Sequence, residues 1–257
     1  MTGGYGVLGG AIASGLADAG AVVAILGRRR AAAEEKADAM RRSGGDALVL
    51  VADVLDETQV RGARDELLRT RGRVDILVNA AGGNVARARS DDRPVFDVPL
   101  DALDEVLRLN LHGTLVPSLS LGEAMGRQGS GCIVNISSMA ARRVLSGVLG
   151  YSIAKAGIET FTRWLATDLA RRYGDRLRVN AVAPGFFVTE QNRSVLINPD
   201  GSYTERARAI VAHTPMGRFG KPDEIVGAVR WLCGDAAAFV TGAVVPVDGG
   251  FGVSTGV

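Results

Sequence analysis

The chain is poor in the residues that build metal centres and covalent frameworks. Its 257 residues include two histidines and two cysteines. His112 and His213 give a zinc site too few ligands, so no metal is expected. Cys132 and Cys233 lie far apart, each in an apolar stretch, and read as reduced, buried thiols. Charge of one sign is also lacking: 30 basic and 28 acidic residues leave a formal charge of +2. That balance argues against nucleic acid or a membrane surface as a partner. No apolar run reaches the roughly 18 residues that a membrane span requires. No basic region precedes the glycine-rich start, as it would in a signal peptide. A cytoplasmic protein with a small-molecule substrate is the expectation. Repeats, low-complexity tracts and linkers are missing too, so residues 1–257 are read as a single domain.

What the chain does have is alternation. Short, mostly apolar runs without polar alternation occur at 22–26, 47–51, 74–78, 132–136, 177–182 and 243–247. Runs of this kind mark parallel strands covered on both faces. Helical patterns fall between them, at about 9–19, 30–43, 56–71, 100–127, 151–173 and 222–233. Repeated β-then-α order predicts an α/β doubly wound parallel sheet of the Rossmann type. Two segments break the rhythm: a polar loop at 83–99 and a segment at about 186–221. Both leave from carboxyl ends of strands, where ligands bind in such sheets. The second is the expected substrate lid.

Gly3, Gly6 and Gly9 sit in a glycine-rich stretch just before the first helical pattern. Glycine permits a tight turn and close approach of backbone N–H groups to a pyrophosphate, which a helix N-terminus also favours. A following strand at the βαβ distance makes this a dinucleotide signal. A buried strand should precede such a loop, yet the chain begins at Met1 and Thr2. The first strand is therefore expected to be missing, and the natural product to be longer. At the end of the next strand, Gly27 stands where an NAD site usually has a carboxylate, and Arg28 follows. A guanidinium there can pair with a 2′-phosphate. The cofactor is thus expected to be NAD(P)(H), with a lean to NADP. Asp53, one strand later, is placed either to meet the adenine or to cap a helix.

Tyr151 and Lys155 stand at i and i+4 at the start of a long helical pattern, on one face. A phenol normally titrates near 10. A neighbouring ammonium, with a positively charged nicotinamide, is expected to lower that value into a useful range for proton exchange. Ser138 lies thirteen residues upstream at a strand end, and Asn110 lies within a helical pattern that does not favour it. Asn79 and Gly82 end one strand, and Pro184 and Gly185 end another.

With these landmarks in this order, the whole chain resembles the short-chain dehydrogenase/reductase family. The family pattern runs Thr-Gly-x-x-x-Gly-x-Gly, Asn-Asn-Ala-Gly, a helix Asn, Ser, Tyr-x-x-x-Lys and Pro-Gly. Val7 departs from it at the middle glycine position, with Gly6 just before, and Ala80 replaces the second Asn. The resemblance implies a catalytic tetrad of Asn110, Ser138, Tyr151 and Lys155. In it Tyr151 is the general acid/base and Ser138 positions the reacting oxygen. Lys155 also binds the nicotinamide ribose, and Asn110 holds a water of the proton relay. Gly3, Gly9, Asp53, Asn79 and Thr189 are implied to line the dinucleotide. A homotetramer is implied as well, with the helices at 100–127 and 151–173 between subunits.

The last third is similar to the D-mannonate oxidoreductase (fructuronate reductase) branch of that family. The likeness rests on residues 183–193, 213–220 and 246–251, with Gly82, Gly83, Asn84, Ser137, Ser138 and Met139. It implies a sugar-acid substrate, D-fructuronate or D-mannonate. Gln191, Asn192 and Arg193 are the expected substrate contacts, with Asn84 and His213 for hydroxyls. Arg193 is the expected carboxylate anchor, and Arg142 and Arg143 compete for that role. Other carbonyls, a 5-ketogluconate-like or a 3-oxoacyl substrate, remain alternatives. So does a nucleotide-binding regulator without turnover, since the fold fixes chemistry and not substrate.

Overall fold

Apolar runs that lack polar alternation need cover on both sides, and the computed structural model, which describes residues 1–190 and 192–255, provides it. Among the described residues six strands form: β1 (Val23–Gly27), β2 (Ala47–Val51), β3 (Ile76–Asn79), β4 (Gly131–Ile136), β5 (Leu177–Pro184) and β6 (Val244–Val247). All the pairings are parallel. β1 pairs with β2, and β3, β4, β5 and β6 follow one another in order. Consecutive residues face opposite sides of a strand. Val78 and Val134 accordingly join one core, and Leu77 and Ile133 the other.

The first core is closed by α1 (Val7–Asp18), α2 (Arg30–Arg42) and α9 (Val226–Cys233) through Ile12, Met40 and Val229. The second is closed by α5 (Gly113–Gln128) and α6 (Leu149–Tyr173) through Met125 and Leu165, with α3 (Glu57–Arg71) alongside. Helix limits follow local chemistry. Asp56 caps α3 by accepting from Gln59 N–H, and Gly72, in the left-handed conformation, ends it. α4 (Leu100–Leu107) runs into α5 through a π turn, Arg108–His112. The single helix expected at 100–127 is thus two helices joined by that turn. Leu119 on α5 and Trp164 on α6 remain exposed on the helices where subunit packing is expected. No helix among the described residues is long and apolar enough to cross a membrane. Cys132 and Cys233 are free thiols.

A strand is expected between β1 and β3, ahead of the glycine loop. Thr2 supplies one rung of it, bridging in parallel to Leu26 on one side and Asn79 on the other. Thr2 N–H donates to Val78 at 2.9 Å, and Leu26 N–H donates to Met1 at 2.8 Å. Next to that rung, between β1 and β3, lies an apolar cavity of about 450 Å3 lined by Val23, Ala24, Ile76 and Leu121 among others.

After β5 comes the segment expected to be a lid. It holds α7 (Arg193–Leu196) and α8 (Glu205–His213). Leu196, Ala207, Ile210 and Phe219 give it a small core of its own, on which Phe186, Val195 and Phe251 pack. A bridge from Phe187 to Gly220 ties its two ends together. The segment is therefore a packed unit seated on the sheet edge, not a loose loop.

Candidate active site

A cavity of about 370 Å3 opens at the carboxyl ends of the strands. One end is the glycine loop. Gly3 has φ +65°, and a Cβ there would lie 2.8 Å from the Ala80 carbonyl carbon. A Cβ at Gly9 would lie 2.2 Å from the Gly3 oxygen. Gly6 begins α1 with no side-chain cap, so the first-turn N–H groups are left for a ligand. Gly3, Gly6, Val7, Leu8 and Gly9 all line the cavity. A backbone cradle that has no room for side chains, at an uncapped helix N-terminus, fits a pyrophosphate.

At the middle of the cavity stand Ser138, Tyr151 and Lys155. β4 carries Ser138 just past its end, and a short 3-10 turn, Met139–Ala141, begins there with Ser138 accepting from Ala140 N–H at 3.2 Å. Tyr151 and Lys155 share the first turns of α6. The Lys155 ammonium donates to the Ile136 carbonyl at 2.8 Å and lies 5.3 Å from the centre of the Tyr151 ring. Burial pulls Lys155 down to about 8. Burial pushes the Tyr151 phenol above its ordinary value, and the Ser138 hydroxyl pulls it the other way. The expected lowering of the phenol by Lys155 is therefore not produced by this chain's own groups. Desolvation outweighs an ammonium that is turned toward Ile136.

Behind this cluster lies a buried carboxylate. Glu159, two turns along α6 from Tyr151, accepts from Arg142 Nε at 3.0 and 3.1 Å, from Arg163 at 3.0 Å and from Ser137 Oγ at 3.3 Å. It ties the turn after Ser138 to the helix that bears Tyr151. Asn110, fully buried in the π turn, donates to Gly83 O at 2.7 Å and to Val106 O at 2.9 Å, and accepts from Gly83 N–H at 3.0 Å. A Cβ on Gly82 would stand 2.6 Å from the Asn110 side-chain oxygen. The Asn110 side chain is therefore spent on fixing the Gly82 and Gly83 turn, and it reaches the cavity only through that turn.

The far end is walled by the lid and by the loop after β3. Arg89 and Arg206 face the cavity there, together with Asn84, Glu190, Asn192 and Leu196.

The structure brings together Gly3, Gly6, Gly9, Gly82, Asn84, Ser138, Tyr151, Lys155, Pro184, Gly185, Thr189 and Asn192. Asn192 also orders its own turn, accepting from Thr189 N–H at 2.7 Å and donating to Phe187 O at 2.8 Å. Gln191 lies outside the described residues.

Other expected residues stand elsewhere. Asn79 points into the core and donates to Ser118 Oγ at 2.8 Å and Asn135 Oδ1 at 2.9 Å. Asp53 accepts from Leu55 N–H at 3.0 Å, away from the cavity, while the helix cap is Asp56. Arg28 is two-thirds exposed (66%) and approaches Asp53 at 3.6 Å. Its neighbour Arg29 lines the cavity instead, over the Tyr5 ring at 4.8 Å. Arg193 and His213 are exposed and do not line the cavity. The first opens the short helix α7 pointing outward, and the second bonds its own helix at Ala209 O, 2.8 Å away. Arg142 is held by Glu159, and Arg143 donates to Gly252 O at 2.7 Å. Arg29 belongs to the basic run 28–30 that the sequence offers for the 2′-phosphate, whereas nothing in the sequence points to Arg89 and Arg206. Arg89 sits in an irregular loop, and Arg206 in an amphipathic helix where arginine is ordinary.

A family model described as enoyl-(acyl carrier protein) reductase matches residues 6–252. The oxidoreductase UxuB of Bacillus subtilis, itself uncharacterized, is 41% identical over 267 aligned positions, covering 100% of this chain and 95% of its own length. A crystal structure from Haemophilus influenzae, of a protein provisionally named a D-mannonate oxidoreductase with NAD bound, is 38% identical with a TM-score of 0.93, covering 100% of this chain and 95% of that one. A gluconate 5-dehydrogenase from Burkholderia cenocepacia, in complex with NADP and tartrate, is 34% identical with a TM-score of 0.87, covering 97% and 92%. The glycine cradle, the Ser138, Tyr151 and Lys155 cluster and these matches agree: the chain belongs to the short-chain dehydrogenase/reductase family and is a nicotinamide-dependent oxidoreductase.

Proposed function

We propose that this oxidoreductase interconverts a keto-sugar acid and its hydroxy acid, with D-fructuronate and D-mannonate as the pair. One observation carries the reading. The cavity that holds Ser138, Tyr151 and Lys155 ends in a wall where two guanidiniums, Arg89 and Arg206, come together from opposite sides. Such a wall suits a small anion better than a neutral alcohol or a long acyl chain. The likeness to a protein named for D-mannonate supports the same choice.

The nicotinamide supplies or accepts the hydride. Tyr151 exchanges the proton at the reacting oxygen, and Ser138 donates to that oxygen to hold it in place. Lys155 uses one of its three N–H groups on Ile136 O. The others are left for the phenol and for the nicotinamide ribose. Asn110 acts as a positioning residue, through the Gly82 and Gly83 turn.

An absorbance assay at the nicotinamide band, run over a panel of sugar acids, 3-oxoacyl esters and neutral polyols, tests the reading. D-mannonate or D-fructuronate is expected to give the highest kcat/KM, by at least about tenfold. A preference for 3-oxoacyl esters would overturn it, and a preference for 5-ketogluconate would move it within sugar acids.

Both NAD and NADP are expected to serve, with NADP favoured through Arg29. A side chain at Gly27 would meet the Tyr5 ring at 2.4 Å, so the ribose-binding acid of a typical NAD site has no room there. Arg29→Ala should raise KM for NADP by about tenfold, the worth of one exposed charged contact. KM for NAD should change by less than about twofold. Equal changes for the two cofactors would remove Arg29 from the 2′-phosphate.

A further inference from the structure

We propose, resting on the sugar-acid reading above, that Arg89 and Arg206, held by Asp91, form the seat of the substrate's carboxylate. The two arginines come from opposite walls. Arg89 belongs to the loop after β3, and Arg206 to the first turn of α8 in the lid. Both meet one counter-ion. Asp91 accepts from Arg89 Nε at 2.6 Å through one oxygen and from Arg206 Nη1 at 2.9 Å through the other.

The cluster stands on the segment that leads into the Tyr151 helix. Arg206 Nη2 donates to Ser146 O at 3.4 Å, and Ser90 N–H donates to Gly147 O at 3.2 Å. Gly147, with φ +78°, passes so close that a Cβ there would lie 2.3 Å from Asp91 Oδ1. Val148 follows and precedes α6. Leu145 and Val148 line the same cavity as Tyr151. A group bound at the two arginines is thereby set in register with the phenol.

Charge and donor count both leave room for a second anion. Two guanidiniums against one carboxylate leave a net positive charge. Partial burial works against the Asp91 charge, but Arg89 and Arg206 hold its carboxyl below the usual range, so it stays ionised and the three-residue cluster itself carries one positive charge, with Glu190 facing it across the rim. Arg89 spends only Nε on Asp91, and its terminal nitrogens have no hydrogen-bond partner among the described residues. They form the edge that takes a carboxylate through two parallel N–H bonds. Glu190, the acid on the same rim, is exposed and forms no ion pair among the described residues. A carboxylate bound here adds a second bridge between the lid and the opposite wall, beside the one that Asp91 makes.

The test compares Arg89→Met, Arg206→Met and Asp91→Asn in the full chain. D-mannonate kinetics are measured with either cofactor, and sodium tartrate binding to the enzyme–cofactor complex by calorimetry. Each arginine variant is expected to raise KM for D-mannonate and Kd for tartrate by about 10- to 100-fold. Their kcat should stay within about threefold, as for lost uniform binding, and their cofactor Kd should not change. Asp91→Asn loosens the holder but keeps both cations, so it should raise KM and Kd by less than either arginine variant does. If all three variants lose kcat and KM alike, the cluster is only a latch and the seat is overturned. Unchanged D-mannonate KM in both arginine variants overturns the seat and leaves the sugar-acid reading standing. If the wild type turns over no sugar acid but binds tartrate through both arginines, the substrate reading fails and the anion seat survives. Absent tartrate binding in the wild type overturns the seat as well.

Discussion

Tyr151→Phe is expected to lower kcat by about 100- to 10,000-fold, the usual worth of a positioned acid or base, with cofactor Kd within about twofold. The substitution removes one oxygen and nothing else. The ring keeps its place against the small apolar cluster of Ala88, Ala102 and Val106. Lys155 keeps its bond to Ile136 O, and the glycine cradle is untouched. The loss corresponds to about 3–5 kcal/mol of barrier, more than a packing change at this position would give. The direction of the pKa shifts makes the result informative. Burial raises the phenol and lowers Lys155 to about 8, so in the chain alone the phenol keeps its proton at neutral pH and Lys155 is largely charged. Ionisation of Tyr151 therefore needs added positive charge nearby, which an oxidised nicotinamide brings. Single-turnover absorbance and a separate cofactor titration check the two halves of the prediction. A variant that keeps more than a tenth of the wild-type rate would assign the proton to another group.

The sheet could be read in advance because its cause is written locally. Leu77 and Val78 are adjacent, equally apolar and on opposite faces, which only a strand buried on both sides allows. The Ser138, Tyr151 and Lys155 cluster was equally legible, since a strand end and one helix turn fix those three positions relative to the sheet. Direction within an element was harder. Asn79 stands at the expected strand end, but the side-chain alternation of β3 turns it inward to Ser118 and Asn135. Arg28 and Arg29 differ by one position at the end of β1, and the turn there carries the second one, not the first, to the cavity. Arg193 follows the cofactor-contacting segment in sequence, yet α7 carries it to the surface. The arginines that line the far end of the cavity, Arg89 and Arg206, are joined by Asp91 across two walls distant in sequence. Nothing in the spacing of residues so distant in sequence announces such a pair. Periodicity places elements, while the partner of a surface charge is settled by tertiary closure.

The complementary prediction concerns binding without chemistry: Gly9→Ala is expected to raise the Kd for NAD(P) toward about 100-fold. The added methyl would lie 2.2 Å from the Gly3 oxygen and 3.0 Å from its carbonyl carbon. Both are backbone atoms, so no side chain can swing aside. Gly3 is itself pinned, since its N–H donates to Leu26 O at 3.1 Å and its oxygen accepts from Gly6 N–H at 3.1 Å. The clash must open the turn or push α1 away, at a cost of about 1–3 kcal/mol for forced overpacking. Either movement withdraws the N–H groups of the first turn from the anion that they would hold. Gly62 provides the control. It lies within α3 with nothing inside 4 Å of an added Cβ, so Gly62→Ala should stabilise the fold by about 0.4–1 kcal/mol and leave the Kd alone. Cofactor fluorescence titration separates the two variants. Gly9→Ala must lose affinity while Gly62→Ala keeps it, and a Gly9→Ala protein with wild-type affinity would show that the cofactor does not lie on this loop.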